Sequence, residues 1–121
     1  MLNLDTHILL HAFNGSLSRA ERKLLSGDSW SISAIVLWEI AKLIQRGRIV
    51  LDIESADFQR HLARIHVWPI DLAIAQRSIQ LDFRGDPADE LIAATSIVHA
   101  VPLITRDRQI LASAIVPLAI Y

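Results

Sequence analysis

Four acidic residues stand at positions from which their carboxylates could do chemistry together. Two follow apolar runs and two lie inside segments with helical periodicity, at separations of 34, 50 and 18 positions: Asp5, Glu39, Asp89 and Asp107. Carboxylates gathered at one site repel each other, and their pKa values rise unless a cation joins them. An all-oxygen ligand set in a chain without cysteine suits Mg²⁺ or Mn²⁺. Such ions, often in pairs, activate water and stabilise the leaving oxygen in phosphodiester hydrolysis.

Three of the four acids also have an ordinary structural explanation. Asp5 and Asp107 each precede a segment with helical periodicity, and aspartate is a preferred N-cap. Asp86 could cap the next helix while Asp89, three positions on, complements the positive end of its dipole. The helix face of Asp89 continues through apolar and small residues in 92–96, which favours an inward-pointing carboxylate.

Glu39 is harder to explain as a structural residue. Its neighbours three and four positions away are mostly apolar, and an ionised carboxylate on such a face costs several kcal/mol, roughly, unless something compensates it. A structural compensation is an ion pair with Lys42, helped by Arg46. We expect a metal-binding or catalytic role for Glu39 and keep the ion pair as the alternative.

The elements that must position these acids alternate along the chain. Short apolar runs predict strands at 2–4, 29–33, 67–70, 101–105 and 115–120. Helical spacing and capping signals, among them the capping-box pattern of Ser18 and Glu21, predict helices at 6–13, 18–25, 34–46, 52–65, 72–81, 86–99 and 106–113. Strands separated by helices predict an α/β fold with a parallel sheet. Sites in such folds form beyond the carboxyl ends of the strands, where Asp5 and Asp107 stand.

Composition narrows the class of protein. A chain of 121 residues suits one domain, and the absence of cysteine excludes disulfides, thiolate metal sites and cysteine nucleophiles. The formal net charge of −1 does not indicate a generally basic surface for binding nucleic acid. Ten of the twelve basic residues are arginines, however, and the arginine guanidinium binds phosphate through two hydrogen bonds. We expect no membrane span and no secretory signal, and therefore a cytoplasmic protein.

Four blocks of sequence, taken together, resemble a known family. They are LDTH at 4–7, WEIA at 38–41, DPAD at 86–89 with LIAAT at 91–95, and PLITRD at 102–107. In this order and spacing they resemble a PIN domain, and more narrowly the VapC-type ribonuclease toxins of bacterial toxin–antitoxin pairs. The resemblance covers essentially the whole chain.

The resemblance implies a fold, a site and an activity. The fold would be a single PIN domain over 1–121, a three-layer α/β/α sandwich with a central parallel sheet of four to five strands. Asp5, Glu39, Asp89 and Asp107 would be the catalytic metal ligands, with the small polar residues Thr6 and Thr105 lining the same site. The activity would be Mg²⁺- or Mn²⁺-dependent cleavage of RNA by a toxin. The partners would be an RNA substrate, a VapB-type antitoxin and a second copy of the chain in a homodimer.

Some residues around this site carry weaker predictions. Many relatives have a basic residue where this chain has Glu90, which we expect to face solvent. Arginines near the acidic edge could hold RNA phosphates or be ordinary solvated or ion-paired side chains: Arg46, Arg48, Arg84, Arg106 and Arg108.

His7 and His11, four apart on one helix face, could bind a metal but lack an evident third ligand. The apolar faces of the first two helices, with Leu9, Leu10, Phe13, Leu24 and Leu25, could form core, a dimer contact or an antitoxin-binding surface.

Other classes of function stay open at this point. One alternative is a non-catalytic α/β module that binds RNA or a protein partner, and another is a PIN nuclease with an RNA-processing role unrelated to toxicity. A phospho-receiver is disfavoured because only Asp5 follows the first strand and the only lysines are Lys23 and Lys42. A serine hydrolase is disfavoured because no Gly-x-Ser-x-Gly sequence occurs.

Overall fold

Four short strands form one parallel sheet in the computed structural model, which describes residues 1–120. They are β1 (Leu2–Leu4), β2 (Trp30–Ser33), β3 (His66–Trp68) and β4 (Leu103–Ile104), in the spatial order β3-β2-β1-β4. Every neighbouring pair runs parallel, so each connection between strands is a crossover that carries helices. The predicted α/β fold with a central parallel sheet is confirmed.

Seven helices flank this sheet within residues 1–120. They are α1 (Thr6–Asn14), α2 (Arg19–Ser26), α3 (Ala34–Gln45), α4 (Ala56–Leu62), α5 (Leu72–Ser78), α6 (Pro87–His99) and α7 (Arg108–Leu111). The longest, α6, has 13 residues, and none of these helices combines the length and apolarity needed to cross a bilayer.

Both faces of the sheet are covered. Successive strand residues point to opposite faces, yet Leu2, Asn3 and Leu4 of β1 are all buried, as are Ile32 and Ser33 of β2. A strand buried on both sides requires packed elements above and below it. The core that results is aliphatic and joins the sheet to α1, α3, α6 and α7, with Leu4, Ile8, Leu9, Ile32, Val36, Ile40, Ile92, Ile104 and Ile110 at its centre.

Helix starts follow the capping signals in the sequence. Ser18 accepts a hydrogen bond from the backbone N–H of Glu21 while the Glu21 carboxylate accepts one from the N–H of Ser18, so the predicted capping box is present. Ser33 caps α3 by accepting a hydrogen bond from the N–H of Ile35. These local hydrogen bonds set where α2 and α3 begin, and hence where Glu39 falls on α3.

Several element predictions need correction. The helices predicted at 72–81 and 106–113 are shorter, at Leu72–Ser78 and Arg108–Leu111, and the strand predicted at 101–105 is reduced to Leu103–Ile104. The predicted strand 115–120 is reduced to a single parallel bridge between Leu103 and Leu118. Pro117 has no N–H to donate, which limits the pairing that this segment can form. The predicted helix 52–65 is shorter, because Ser55 accepts a hydrogen bond from the N–H of Phe58 and so starts α4 only at Ala56.

Candidate active site

The register of β1 and β4 brings two polar residues side by side. Leu4 is paired with Ile104, so the next residues along each strand, Asp5 and Thr105, meet at the carboxyl edge of the sheet. The Thr105 hydroxyl donates a hydrogen bond of 2.6 Å to Asp5 Oδ2. Both residues are buried, Asp5 at 4% and Thr105 at 2% exposure.

Asp5 caps α1 and also lies at the sheet edge where the candidate site forms. Its Oδ1 accepts a hydrogen bond of 2.7 Å from the N–H of Thr6, the first residue of α1. Burial raises the pKa of Asp5 above its ordinary value, and the hydrogen bonds from Thr105 and Thr6 oppose that rise only in part. The structural and functional explanations of Asp5 are therefore compatible.

Glu39 faces the site through Thr6. The Thr6 hydroxyl donates a hydrogen bond to Glu39 Oε1, which joins the middle of α3 to the start of α1. Lys42 does not pair with Glu39: its ammonium hydrogen-bonds Gln45 Oε1 at 3.1 Å and lies 5.7 Å from the centre of the Trp38 ring. Among residues 1–120, Glu39 has no ion pair with Lys42 or Arg46, which removes the structural alternative.

Asp89 carries the strongest electrostatic signature of the site. It lies in the first turn of α6 and is half-buried. Desolvation first, and then the negative charges of Asp5, Glu39, Asp107 and Asp86 in that order, raise the pKa of Asp89 to about 7. The structure thus brings the four predicted acids into one electrostatic field, with Asp86 as an outer member.

Asp107 belongs to the same site and also caps α7. Its Oδ1 accepts hydrogen bonds from the N–H groups of Gln109 (2.8 Å) and Ile110 (3.1 Å). Its own N–H donates to the Thr105 hydroxyl oxygen at 3.0 Å. Thr105 therefore links Asp5 to Asp107, and a shift of one would be felt by the other.

The chemistry of this donor set fits a hard divalent cation. Four carboxylates and two hydroxyls supply only oxygen ligands, and their mutual repulsion is what an added positive charge would relieve. In the described part of the chain, no three acidic or histidine side chains are close enough to enclose an ion as they lie. Each carboxylate oxygen described above is turned instead toward a hydroxyl or amide donor of the protein, as expected of carboxylates that repel one another.

The arginines divide into two groups. Arg46, Arg48, Arg84 and Arg108 are exposed and remain available to a ligand. Arg106 instead directs its guanidinium at Glu21 of α2, at 2.6 and 2.8 Å. This long-range partner was missed by sequence reasoning, in which Glu21 appeared only as part of the capping box.

Glu90 and the histidines are placed differently from the simplest expectation. Glu90 is half-buried and lines a small cleft with Phe83 and Arg84, so it does not simply face solvent. His11 contacts Ser16 Oγ at 2.6 Å through Nδ1 and Arg106 at 3.0 Å through Nε2. Both of its ring nitrogens are engaged, which leaves none for a metal shared with His7.

A deep cleft lies away from the acids. It has a volume of about 520 Å³ and includes none of the four acidic residues in its lining. Phe13, Trp30 and Phe58 form its apolar wall, and Asp28 and Asp57 contribute acidic groups. Trp30 begins β2, so this cleft lies toward the amino ends of the strands, opposite to the edge that carries Asp5.

Comparison with known proteins places the chain in a family. Residues 3–115 match the PIN domain. The chain is 35% identical over 114 residues to Ribonuclease VapC22 of Mycobacterium tuberculosis (strain ATCC 25618 / H37Rv), an alignment that covers 88% of this chain and 87% of that protein.

Solved structures with the same fold cover nearly the whole chain. A toxin-antitoxin complex from Klebsiella pneumoniae matches with a TM-score of 0.72 and 23% identity, over 100% of this chain and 98% of that one. VapBC2 from Rickettsia felis, bound to a DNA fragment from their promoter, matches with a TM-score of 0.71 and 19% identity, over 98% of each chain. The family match, the curated relative and the shared fold agree with the four sequence blocks: the chain belongs to the PIN-domain family and, within it, to the VapC ribonucleases.

Proposed function

We propose that this protein is a Mg²⁺- or Mn²⁺-dependent endoribonuclease that acts as the toxin of a VapBC-type toxin–antitoxin pair in the cytoplasm. The observation that carries the proposal is the cluster of Asp5, Glu39, Asp89 and Asp107: desolvation, and then the charges of the neighbouring acids, raise the pKa of Asp89 to about 7. A site of this kind gains most from a divalent cation. The relative at 35% identity is named a ribonuclease.

The four acids would hold the ion, and a bound ion would supply an activated water and charge neutralisation at the phosphate. Thr105 holds Asp5 by donating to its Oδ2, and Thr6 holds Glu39 by donating to its Oε1. With a pKa of about 7, Asp89 is partly protonated at neutral pH, so binding of a cation there would be coupled to loss of that proton.

The substrate would approach along the exposed arginines. Arg46, Arg84 and Arg108 are each able to bind phosphate oxygens through a guanidinium fork. Such contacts position the RNA backbone and carry no sequence information. Arg106 is excluded from this group because Glu21 already engages it.

An antitoxin has a suitable surface in the deep cleft. Its apolar wall of Phe13, Trp30 and Phe58 fits the apolar face of an amphipathic helix. Structural neighbours are described as a toxin-antitoxin complex and as VapBC2. We therefore place a VapB-type antitoxin there.

A homodimer would use a different face. Trp38 is 54% exposed on α3, and Leu72 and Ile79 are 72% and 84% exposed at the two ends of the α5 region. α3 and α5 both pack against α6, so these apolar side chains belong to neighbouring elements. Exposed apolar groups of this size favour an interface.

The test of the nuclease is cleavage of RNA by purified protein freed of its partner. We expect cleavage with Mg²⁺ or Mn²⁺, loss of cleavage in EDTA and recovery when the metal is restored. Asp5→Asn should remove the activity, whereas Asp57→Asn, an exposed acid of α4, should retain it. Cleavage that persists in EDTA would overturn the metal mechanism, and binding of RNA without cleavage would favour the non-catalytic alternative.

The toxin role needs a separate experiment in cells. Expression of the wild-type chain alone should arrest growth, and co-expression of the cognate antitoxin should restore it. Asp5→Asn expressed to the same level is the control for a burden caused by overproduction. Normal growth with abundant folded wild-type protein would favour a nuclease that processes RNA without being a toxin.

A further inference from the structure

A buried acid on α2 holds the arginine that stands between two site residues. Arg106 Nε donates to Glu21 Oε2 at 2.8 Å and Nη2 donates to Glu21 Oε1 at 2.6 Å, a two-pronged pairing of guanidinium and carboxylate. Glu21 is 1% exposed, whereas the Arg106 side chain is 41% exposed. Since a buried carboxylate requires a partner, this arginine is fixed in one orientation.

Two further guanidinium donors point at protein acceptors as well. Nη2 also donates to the Ser16 carbonyl at 3.3 Å, and Nη1 lies 3.0 Å from His11 Nε2. Burial first, and then the positive charge of Arg106, lower the pKa of His11, so its ring is neutral and can accept a hydrogen bond. Four of the five N–H groups of the guanidinium are thereby directed at α1, α2 and the loop between them, which leaves little to offer an RNA phosphate.

The backbone on either side of Arg106 belongs to the site. Thr105 donates to Asp5 Oδ2, and the N–H of Asp107 donates back to the Thr105 hydroxyl. Residues 105–107 follow β4, a strand of only two residues, so the sheet constrains this turn weakly. The pairing of Arg106 with Glu21 supplies the missing constraint from α2.

We propose that the Glu21–Arg106 pair is a positioning device that holds the turn 105–107, and with it Thr105 and Asp107, in the geometry that binds the divalent ion. Arg106 acts through its neighbours and does not contact RNA. This inference rests on the proposed function, because it assigns the pair to the metal site of that nuclease.

The test compares two variants that break the pairing with one that does not. Arg106→Lys keeps the charge and loses the fork, and Glu21→Gln keeps the side-chain shape and an oxygen for the N–H of Ser18 while losing the charge. Arg108→Lys, an exposed arginine two positions on, is the comparison for a phosphate contact. Each full-length protein is titrated with Mn²⁺ by calorimetry without RNA, and RNA cleavage is then measured as a function of both Mn²⁺ and RNA.

The expected result is weaker Mn²⁺ binding in both pairing variants, by about 10- to 100-fold as for other residues that orient metal ligands. Excess Mn²⁺ should restore much of the cleavage, and the KM for RNA should stay near the wild-type value. Glu21→Gln is the more telling variant, since Glu21 is buried and cannot touch RNA. Arg108→Lys should raise the KM for RNA and leave Mn²⁺ affinity unchanged.

Two results would overturn the inference. Wild-type Mn²⁺ affinity in both Arg106→Lys and Glu21→Gln would show that the pair does not position the ligands. A raised KM for RNA in Arg106→Lys alone, with Mn²⁺ affinity intact, would make Arg106 a substrate contact. A wild-type protein that neither binds Mn²⁺ nor cleaves RNA would instead overturn the proposed function, and this inference with it.

Discussion

Neutralising Asp89 should stabilise the metal-free protein while it removes the activity. The pKa of Asp89 rises from 3.8 to about 7 on folding, chiefly through desolvation and then through the charges of Asp5 and Glu39. A shift of about three units corresponds to roughly 4 kcal/mol against the ionised form. Because the side chain is only half-buried, solvent screening reduces this to about 2 kcal/mol.

One favourable interaction is lost at the same time. Asp89 lies in the first turn of α6, where a negative charge gains about 0.3–1 kcal/mol from the helix dipole. The difference leaves Asp89→Asn more stable than the wild type by about 1 kcal/mol above neutral pH, a rise in Tm of about 3–6 °C for a chain of this length. The advantage should develop as pH rises from about 4 to 7, because over that range the folded wild type still holds a proton that the unfolded chain has lost, and its stability falls as pH rises.

The assay is a set of thermal melts of metal-free protein across this pH range, beside RNA cleavage on the same samples. Cleavage by Asp89→Asn should fall by about 100-fold or more, since removing a ligand costs at least as much as disturbing its orientation. Asp86→Asn is the matched comparison: it makes the same change one helical turn earlier, at an exposed cap whose side chain makes no capping hydrogen bond and whose charge is the last-named contribution to the raised pKa of Asp89. The free energy of unfolding of Asp86→Asn should fall by roughly a few tenths of a kcal/mol, because a charge at the start of the helix dipole is lost, and RNA cleavage should be retained.

Three results would contradict this reasoning. A fall in Tm for Asp89→Asn that exceeds the fall for Asp86→Asn would mean that the carboxylate is a net stabilising group. The same dependence of Tm on pH in wild type and variant would show that Asp89 does not carry the raised pKa. Cleavage near the wild-type level would remove Asp89 from the site.

Other predictions follow from pairings elsewhere in the fold. Glu21→Gln should lower the free energy of unfolding by about 2–3 kcal/mol at neutral pH, because Arg106 lowers the pKa of Glu21 from 4.5 to about 2. The stability that this pair contributes is present above about pH 4.5 and is lost as pH falls toward 2. The acid unfolding curves of wild type and variant should therefore converge near pH 2. Curves that stay parallel down to that pH would contradict the pairing. Lys42→Met should change the free energy of unfolding by less than about 0.5 kcal/mol in denaturant titrations, since Lys42 does not pair with Glu39, and a loss near 3 kcal/mol would restore that pair. Trp38→Glu should convert the proposed homodimer to monomer in light scattering, and an unchanged molar mass would place the interface elsewhere.

Local sequence signals determined much of the fold. The spacing of apolar residues predicted the seven helices and four strands, and Ser18 with Glu21 predicted a capping box that is present. Such signals depend on residues within one helical turn of each other, so the sequence contains them directly. The strand predicted at 115–120 was wrong. Its apolar pattern fits a strand, but pairing also needs backbone N–H donors, and Pro117 has none.

The four acids were predicted from the ends of two strands, from the faces of two helices and from the family resemblance, and all of this information is in the sequence. Their partners were not. Thr105 lies 100 positions from Asp5, and Arg106 lies 85 positions from Glu21. Glu39 has a charged neighbour one turn away in Lys42 but takes Thr6, 33 positions away, as its partner.

Only the tertiary structure decided these pairings, because they depend on strand order and register. Placing β4 beside β1, with Leu4 opposite Ile104, is what brings Thr105 to Asp5. The raised pKa of Asp89 has the same origin, since it sums desolvation and four charges, one within α3 and three at the N-caps of α1, α6 and α7. Periodicity fixes which face of a helix is buried, but the identity of the groups that meet there follows from how the helices and strands pack.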